Sequence, residues 1–316
     1  MHRRTLLAGL ALPALAQAQP GFPNRPIRMV VPYSPGGQSD TVARLVAPKM
    51  AEYLGGSIIV ENRTGAGGTI AAGLVVQAPA DGYTLLFESF AFVVVPLIHH
   101  GLTFSYETDF APIGQAVALP YVLATRKSFP ATDLASFIAA VKATPGATYG
   151  TPGIGTPGHL AGVLLAQKAG IRLEHVPYRG GADAARDCGA GNIDAVIITA
   201  NSIKPFIDDS RATGIALTSA EQRGTLAALP PMAATFPGFD LTSWNGLFAA
   251  ATTPAPIRAR LEAALAHATT DAETVRRLAL TGNDAVSASA EAFGAIIRRD
   301  RAVVRQIVTE TGMKID

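Results

Sequence analysis

The sequence predicts an α/β protein made of two modules that hold a ligand between them. Three observations predict it. Apolar runs of strand length alternate with helix-spaced segments over residues 27–89, and a similar alternation returns over 121–219. Glycine-rich turns repeatedly stand between a strand end and a helix start. The 316 residues, 48% hydrophobic and 16% charged, suffice for two units with their own cores and are far from a disordered composition.

In the first module IRMVVPY (27–33) reads as a buried parallel strand. The loop SPGGQSD opens a helix over 39–54, with Val42, Leu45, Val46, Met50 and Leu54 at helical spacing; Pro48 is expected to bend or break it. SIIVEN (57–62) is a second strand, followed by the turn RTGAGG and a helix TIAAGLVVQA. Asp81-Gly82 then turns the chain into a third strand, YTLLFES (83–89). Short connections between these elements predict a parallel sheet covered by helices.

The second module repeats the pattern. YVLATR (121–126) precedes a helix over 134–143, and TYGT a helix over 159–168. LEHVPY, a helix over 182–190, the strand IDAVIIT (193–199) and ATGIALTS (212–219) follow. Two helical patterns close the chain, over 256–268 and 290–310. The second has a broad apolar face of Phe293, Ile296, Ile297, Val303, Val304, Ile307 and Val308.

The first residues have the form of an export signal. Met1-His2-Arg3-Arg4 is basic, Thr5 to Ala16 is apolar, and small residues suit cleavage near Ala16 or Ala18. The apolar run is too short to span a bilayer, and Arg3-Arg4 also fits a twin-arginine route. The formal charge of +2 rests on those two arginines, so without residues 1–18 acidic and basic residues balance and no basic stripe suggests nucleic acid. The single cysteine, Cys188, has no partner for an internal disulfide and reads as a small buried apolar residue.

Three loops carry the recognisable chemistry: SPGGQSD, TPGIGTPGH and VPYRGGAD. Each lies between a strand and a helix start, where free amides and the positive end of the helix dipole favour an anion. Ser34, Ser39 and Thr156 can add hydroxyls. Several assignments stay open on these grounds alone. Asp40 is either a helix-capping acid or a ligand contact, and His159 either a carboxylate donor or a local hydrogen-bonding residue. Arg179 either pairs a carboxylate or faces solvent, and Glu88 either binds a cationic group or pairs with a neighbouring base.

Gly153–Gly158 spells G-x-G-x-x-G, the dinucleotide fingerprint, but its context is poor. Glu174 arrives too early for the ribose acid, and Pro152 and Pro157 stiffen the loop. Neither G-x-S-x-G nor H-E-x-x-H nor C-x-x-C occurs. The adjacent His99-His100 lack a third ligand, so neither a cofactor nor a metal is expected.

Taken in order, RPIRMVVPYSPGGQSDTVARLVA, VENRTGAGGTIAA, PADGYTLLF, DFAPIG, YGTPGIGTPGHLAG, HVPYRGGADA and WNGLFAAATTPAPI resemble the Bug family, the periplasmic solute-binding proteins of tripartite tricarboxylate transporters. The resemblance runs from about Pro23 to the C-terminus. It implies a two-domain periplasmic binding protein of type II that closes on a small carboxylate, without catalysis. Domain 1 is expected over 20–120 and 245–316, and domain 2 over 121–244. The resemblance assigns Ser34, Gly36, Gly37 and Asp40 to one jaw. It assigns Thr151, Gly155, Thr156, Gly158 and His159 to the other, with Tyr178–Gly181 helping to close the cleft. Tyr33, Glu88, Ser89, Phe90, Tyr178 and Thr199 complete the expected ligand-binding set.

Three departures from the family pattern bear on the ligand. Gly158 stands where members often carry Ser, Glu88-Ser89-Phe90-Ala91-Phe92 replaces a polar segment, and Ile198 and Thr199 stand where Asp or Asn is common. A carboxylate with a hydrophobic or aromatic body is the expectation, provided that Phe90 and Phe92 line the pocket and are not core residues. The implied partners are the large and small membrane subunits of a transporter, to which a periplasmic monomer delivers its ligand. A ligand sensor for a two-component system is the alternative, and an enzyme using the same cleft a weaker one.

Overall fold

The computed structural model describes residues 21–99, 101–222 and 224–311, so the expected signal segment lies outside the described residues. Eleven strands and ten α-helices form two sheets among these residues. The first sheet contains β1 (Ile27–Val31), β2 (Ile58–Asn62), β3 (Thr84–Ser89), β4 (Phe110–Leu119), β10 (Ser243–Ala250) and β11 (Asp284–Ala288). Its order is β11-β4-β10-β3-β1-β2. The second contains β5 (Tyr121–Arg126), β6 (Ala147–Thr151), β7 (Leu173–Pro177), β8 (Ala195–Thr199) and β9 (Ala212–Leu217), in the order β7-β6-β8-β5-β9.

Both sheets are mixed, which corrects the all-parallel expectation. β1 runs parallel to β2 and β3, but β10 lies antiparallel between β3 and β4. β6 is parallel to β7 and β8, whereas β5 is antiparallel to β8 and β9. The reason is connectivity: the chain enters β5 from β4 through Pro120 and re-enters β10 from the second sheet, with no crossover helix to restore direction.

Helices cover both faces of the first sheet. α1 (Gln38–Leu54) and α8 (Ala255–Thr270) lie on one face, over Met29, Val31, Leu85 and Phe87. Val30 and Leu86 face the other way, toward α2 (Thr69–Gln77), α3 (Ala91–Ile98) and α10 (Ala290–Thr311). The alternation along β1 and β3 follows from the period of two in a strand. α1 continues through Pro48, against expectation. Pro48 is exposed, so the carbonyl it leaves unpaired can bond water, while Val42, Ala43, Val46, Ala47 and Met50 bury the opposite face.

The predicted apolar face of α10 is realised, with Phe293, Ile297, Val304 and Ile307 buried. That helix reaches from the first sheet to α5 (Pro157–Ala169) on the second, where Gln167 donates to Glu310 across 2.6 Å. A continuous core therefore joins the two units on this side, running from Phe90 and Trp244 to Leu160 and Leu165.

The remaining helices of the second unit are α4 (Leu134–Ala143), α6 (Gly181–Ala190) and α7 (Ala200–Asp208), with α9 (Ala272–Leu280) returning to the first. The chain passes between sheets at 119–121 and again after β9, returning at 241–243. Thr218, fully buried, ties both passages. Its amide donates to Tyr121 O and its hydroxyl to Leu241 O, while Leu241 N donates back to Thr218 O.

Candidate functional site

Topology decides which loops meet. The carboxyl ends of β1, β3 and β4 share one end of the first sheet with the starts of β10 and β11. The carboxyl ends of β6, β7, β8 and β9 share one end of the second with the start of β5. Both chain passages lie at these ends, so the loops after β1 and β3 face those after β6, β7 and β8. The sequence-predicted loops thereby converge on one cleft.

Helices α1, α5, α6 and α7 all begin at this cleft, and none has a side-chain cap. Their N-cap residues are Gly37, Thr156, Gly180 and Thr199. Of the other helices, α4 and α9 are capped by Asp133 and Asp271, whereas α2 and α8 also start without a side-chain cap. Leaving out a cap costs a helix from a few tenths of a kcal/mol, where glycine stands at the cap as Gly37 and Gly180 do, to roughly 2 kcal/mol. Four uncapped starts at one place leave amides available to an anion, which the helix dipoles favour further.

On the α1 side the loop is braced from behind. The Asp40 carboxylate is buried and accepts from Gly36 N at 2.8 Å, Asn62 Nδ2 at 2.8 Å and Arg44. Burial opposes its ionisation, but these donors prevail and hold its pKa below the usual carboxylate value. Asp40 thus shapes the loop and has no spare capacity for a ligand. Ser34 and Gly36 are exposed, Gly37 half-buried, and Gly37 N donates to Ser34 O.

A polar cluster beside this loop was not foreseen. Gln38 Nε2 donates to Asn245 Oδ1 at 2.8 Å and to Asn283 Oδ1 at 2.7 Å, while Asn245 Nδ2 donates to Ser39 Oγ at 2.8 Å. These residues come from α1, β10 and the turn before β11, some 200 positions apart in sequence. Only the asparagine in the WNGLF block hinted at it.

Glu88 behaves differently from either expectation. It is 1% exposed and, among the described residues, pairs with no base. It accepts from the Tyr33 hydroxyl and from the amide of Ser89 at 2.7 Å. Burial raises its pKa to about 7 despite those bonds. Burial, then the Glu88 charge, raises Tyr33 well above the usual phenol value. Ser89 shares its hydroxyl with this pair and with Ala91 N. Phe90, 2% exposed, packs edge-on against Trp244, and Phe92, also 2% exposed, stacks on Phe248 at 4.1 Å. Both rings are core residues, which removes the basis for expecting an aromatic pocket.

On the α5 side Thr151 is fully buried and bonds His175 Nε2 at 2.7 Å. His175 stacks on His159 at 4.1 Å. Gly155 N donates to His159 Nδ1 at 3.1 Å, so the ring is a neutral acceptor there and its proton sits on Nε2. Burial and then the neighbouring His175 lower the His159 pKa to about 4. The Thr156 hydroxyl donates to Gly153 O at 2.7 Å, leaving its lone pairs free. His159 and Thr156 therefore set the loop conformation.

Gly158 faces inward. A Cβ there would lie 2.1 Å from the carbonyl oxygen of Ile197 and 3.2 Å from the Tyr121 ring. A serine hydroxyl at 158 would point into β8, so its absence does not make the cleft less polar. Tyr178 donates its hydroxyl to Asp187 at 2.7 Å, along α6, and Thr199 shares its own with Ser202 at 2.9 Å. Arg179 is exposed and forms no ion pair among the described residues, so it is available to an anion.

Across the cleft mouth Asn201 Nδ2 donates to Thr281 O at 3.1 Å. Among the described residues no group of three His, Cys, Asp or Glu side chains could hold a metal ion, and no helix is long and apolar enough to cross a membrane.

Comparison with known proteins agrees with this architecture. A UPF0065 protein of Pseudomonas, from the tcbD-tcbE intergenic region, is 34% identical over 98% of this chain and 94% of its own. A TctC solute-binding protein from Polaromonas superposes with a TM-score of 0.83 at 28% identity, over 92% of this chain and 99% of that one. R. palustris Rpa4515 with adipate gives 0.76 at 28% identity, covering 92% and 98%. MatC from Rhodopseudomonas palustris with bound malate gives 0.72 at 28% identity, covering 91% and 100%. The fold is that of a two-domain periplasmic binding protein. The model of the tripartite tricarboxylate transporter family receptor matches residues 42–313, and the chain belongs to that family.

Proposed function

We propose that this protein is an exported, non-catalytic receptor that closes on a small carboxylate and delivers it to the membrane subunits of a tripartite tricarboxylate-type transporter. The observation that carries the reading is the convergence of four uncapped helix starts, one from the first unit and three from the second. A ligand with a carboxylate at each end satisfies both sides at once. Adipate and malate, bound by two relatives of the same fold, are dicarboxylates, which supports that choice over a monoacid with an aromatic body. Residues 20–120 with 245–316, and 121–244, are the two domains, hinged at 119–121 and 241–243. Ligand bridging both domains shifts the population toward the closed form.

The test is native mass spectrometry of the protein as purified from the periplasm, followed by calorimetry with adipate, malate and benzoate. A copurified or added dicarboxylate that binds at least tenfold more tightly than benzoate supports the reading, and preferential benzoate binding contradicts the dicarboxylate assignment. Turnover of the bound acid would make the protein an enzyme. Loss of uptake on deleting the gene tests delivery, and loss of a transcriptional response with uptake intact would favour sensing.

A further inference from the structure

A chain of hydrogen bonds runs along the cleft mouth from one helix start to another. It begins at Gln38, the first residue of α1, whose Nε2 donates to Asn283 Oδ1 at 2.7 Å. Asn283 Nδ2 donates in turn to the Thr281 hydroxyl at 2.8 Å and to Thr281 O at 3.2 Å. Thr281 O also accepts from Asn201 Nδ2 at 3.1 Å, and Asn201 is the second residue of α7. The first links lie within the first unit, and the last crosses to the second. α1 and α7 both start without a side-chain cap, so the chain connects one anion-favouring helix start in each unit.

Asn283 is the pivot of this chain. It is 1% exposed, so its amide must find partners inside the protein. Its orientation is fixed by them. The oxygen meets a donor, Gln38 Nε2, and the nitrogen meets acceptors on Thr281, so a flipped amide would lose both ends. Thr281 stands at the C-terminus of α9, where a helix carbonyl lacks an intrahelical donor and carries partial negative charge. Two side-chain amides, one from each unit, supply that carbonyl's donors. The turn that holds it is stiff: Asn283 N donates to Leu278 O at 3.0 Å, and the Thr281 hydroxyl donates to the same oxygen at 2.8 Å.

We infer that Asn283 is a positioning residue for domain closure. It aims Thr281 O at Asn201, and it ties that latch to Gln38, where α1 meets the ligand. The ligand side of this inference rests on the carboxylate-binding reading of the cleft, whereas the latch belongs to the protein by itself. A ligand joins the starts of α1 and α7 inside the cleft, and the relay joins the same two helices at its rim. Each connection lowers the cost of making the other, so latch and ligand reinforce one another reciprocally.

The experiment is a double-mutant cycle read by distances across the mouth. Spin labels go on Asp209→Cys, at the end of α7, and Arg276→Cys, on α9; both positions are exposed, while Cys188 is fully buried and stays unlabelled. Pulsed electron paramagnetic resonance of the full protein without ligand should show a short-distance population in the parent. Asn283→Ala and Asn201→Ala should each shrink it about threefold or more, and the double variant no further than Asn201→Ala alone. Calorimetry with adipate and malate should follow the same pattern. Asn283→Ala should weaken binding about fivefold in the parent and leave it unchanged in the Asn201→Ala background. A merely structural Asn283 would add its effect to that of Asn201→Ala in both measurements, and that result overturns the inference. So does an Asn283→Ala without effect, or a parent without the short-distance population. If neither acid binds the parent, the reading of the cleft fails and the label distances still decide the latch. Should Asn283→Ala fail to fold, Gln38→Ala, at an exposed residue, breaks the relay at its other end and takes its place in the cycle.

Discussion

The first turn of α5 lies so close to β8 that a Cβ on Gly158 would stand 2.1 Å from the carbonyl oxygen of Ile197. The obstacle is backbone, which cannot rotate aside as a side chain can. Gly158→Ser should therefore destabilise the protein by about 1–3 kcal/mol, and a thermal melt of purified protein measures it. An unchanged melt would mean that α5 can move off the sheet.

The stacked pair His159 and His175 makes stability depend on pH. The His159 pKa falls from 6.5 unfolded to about 4 folded, chiefly through burial. Between those values the unfolded chain binds the extra proton, so the contribution is complete above about pH 6.5 and is lost as pH falls to about 4. Burial lowers His175 too, with the same sign. Denaturant titrations across this window should show a shallower loss for His159→Gln, by on the order of 2 kcal/mol at the acid end after allowing for solvent screening.

Glu88 acts with the opposite sign. Its pKa rises from 4.5 to about 7, so its contribution is complete below about pH 4.5 and is lost as pH rises through 7. Glu88→Gln keeps an acceptor for Tyr33 and Ser89 and abolishes the ionisation. Urea unfolding at pH 8 should find the variant more stable than the parent by roughly 2 kcal/mol, with the difference vanishing near pH 4.5.

Across the cleft mouth Asn201 packs on Gly282, whose φ of +75° suits glycine. A Cβ at 282 would meet the Asn201 side chain at 2.3 Å. Gly282→Ala should hold the mouth apart, enlarging the radius of gyration seen by small-angle scattering with ligand present and weakening binding about tenfold. Because the Asn201 Cβ is itself one of the clashing atoms, Asn201→Gly in the same chain removes the clash and should restore part of the affinity.

Much of the fold was legible because its signals are local. The helix over 134–143 and the run around α10 carry apolar spacing that no tertiary contact had to supply. Elements of mixed or weak period were not. α3, AFVVVPLI, is apolar all round with a proline inside, so it has no amphipathic signature. α7, ANSIKPFID, has a clear apolar period but is only nine residues long and carries Pro205, and β4, β10 and β11 pair over long sequence separations. The same division holds at the site. Glycine loops at helix starts are visible as strings, whereas the Gln38–Asn245–Asn283 cluster exists only once the sheet brings distant segments together. Phe90 and Phe92 were ambiguous because a ring beside a strand end can face either a cleft or a core. Trp244 and Phe248 decide for the core.

The central claim is that backbone amides at uncapped helix starts hold the carboxylate, and Gln38 offers the most direct test. It is the first residue of α1, where proline removes the amide without breaking the helix, and Gly37 already has the extended backbone that a following proline requires. Gln38→Ala, which removes the side chain and keeps the amide, is the control for the lost bonds to Asn245 and Asn283. Calorimetry with the ligand identified by mass spectrometry should show Gln38→Pro binding about tenfold more weakly than Gln38→Ala. Equal dissociation constants for the two variants would contradict the account.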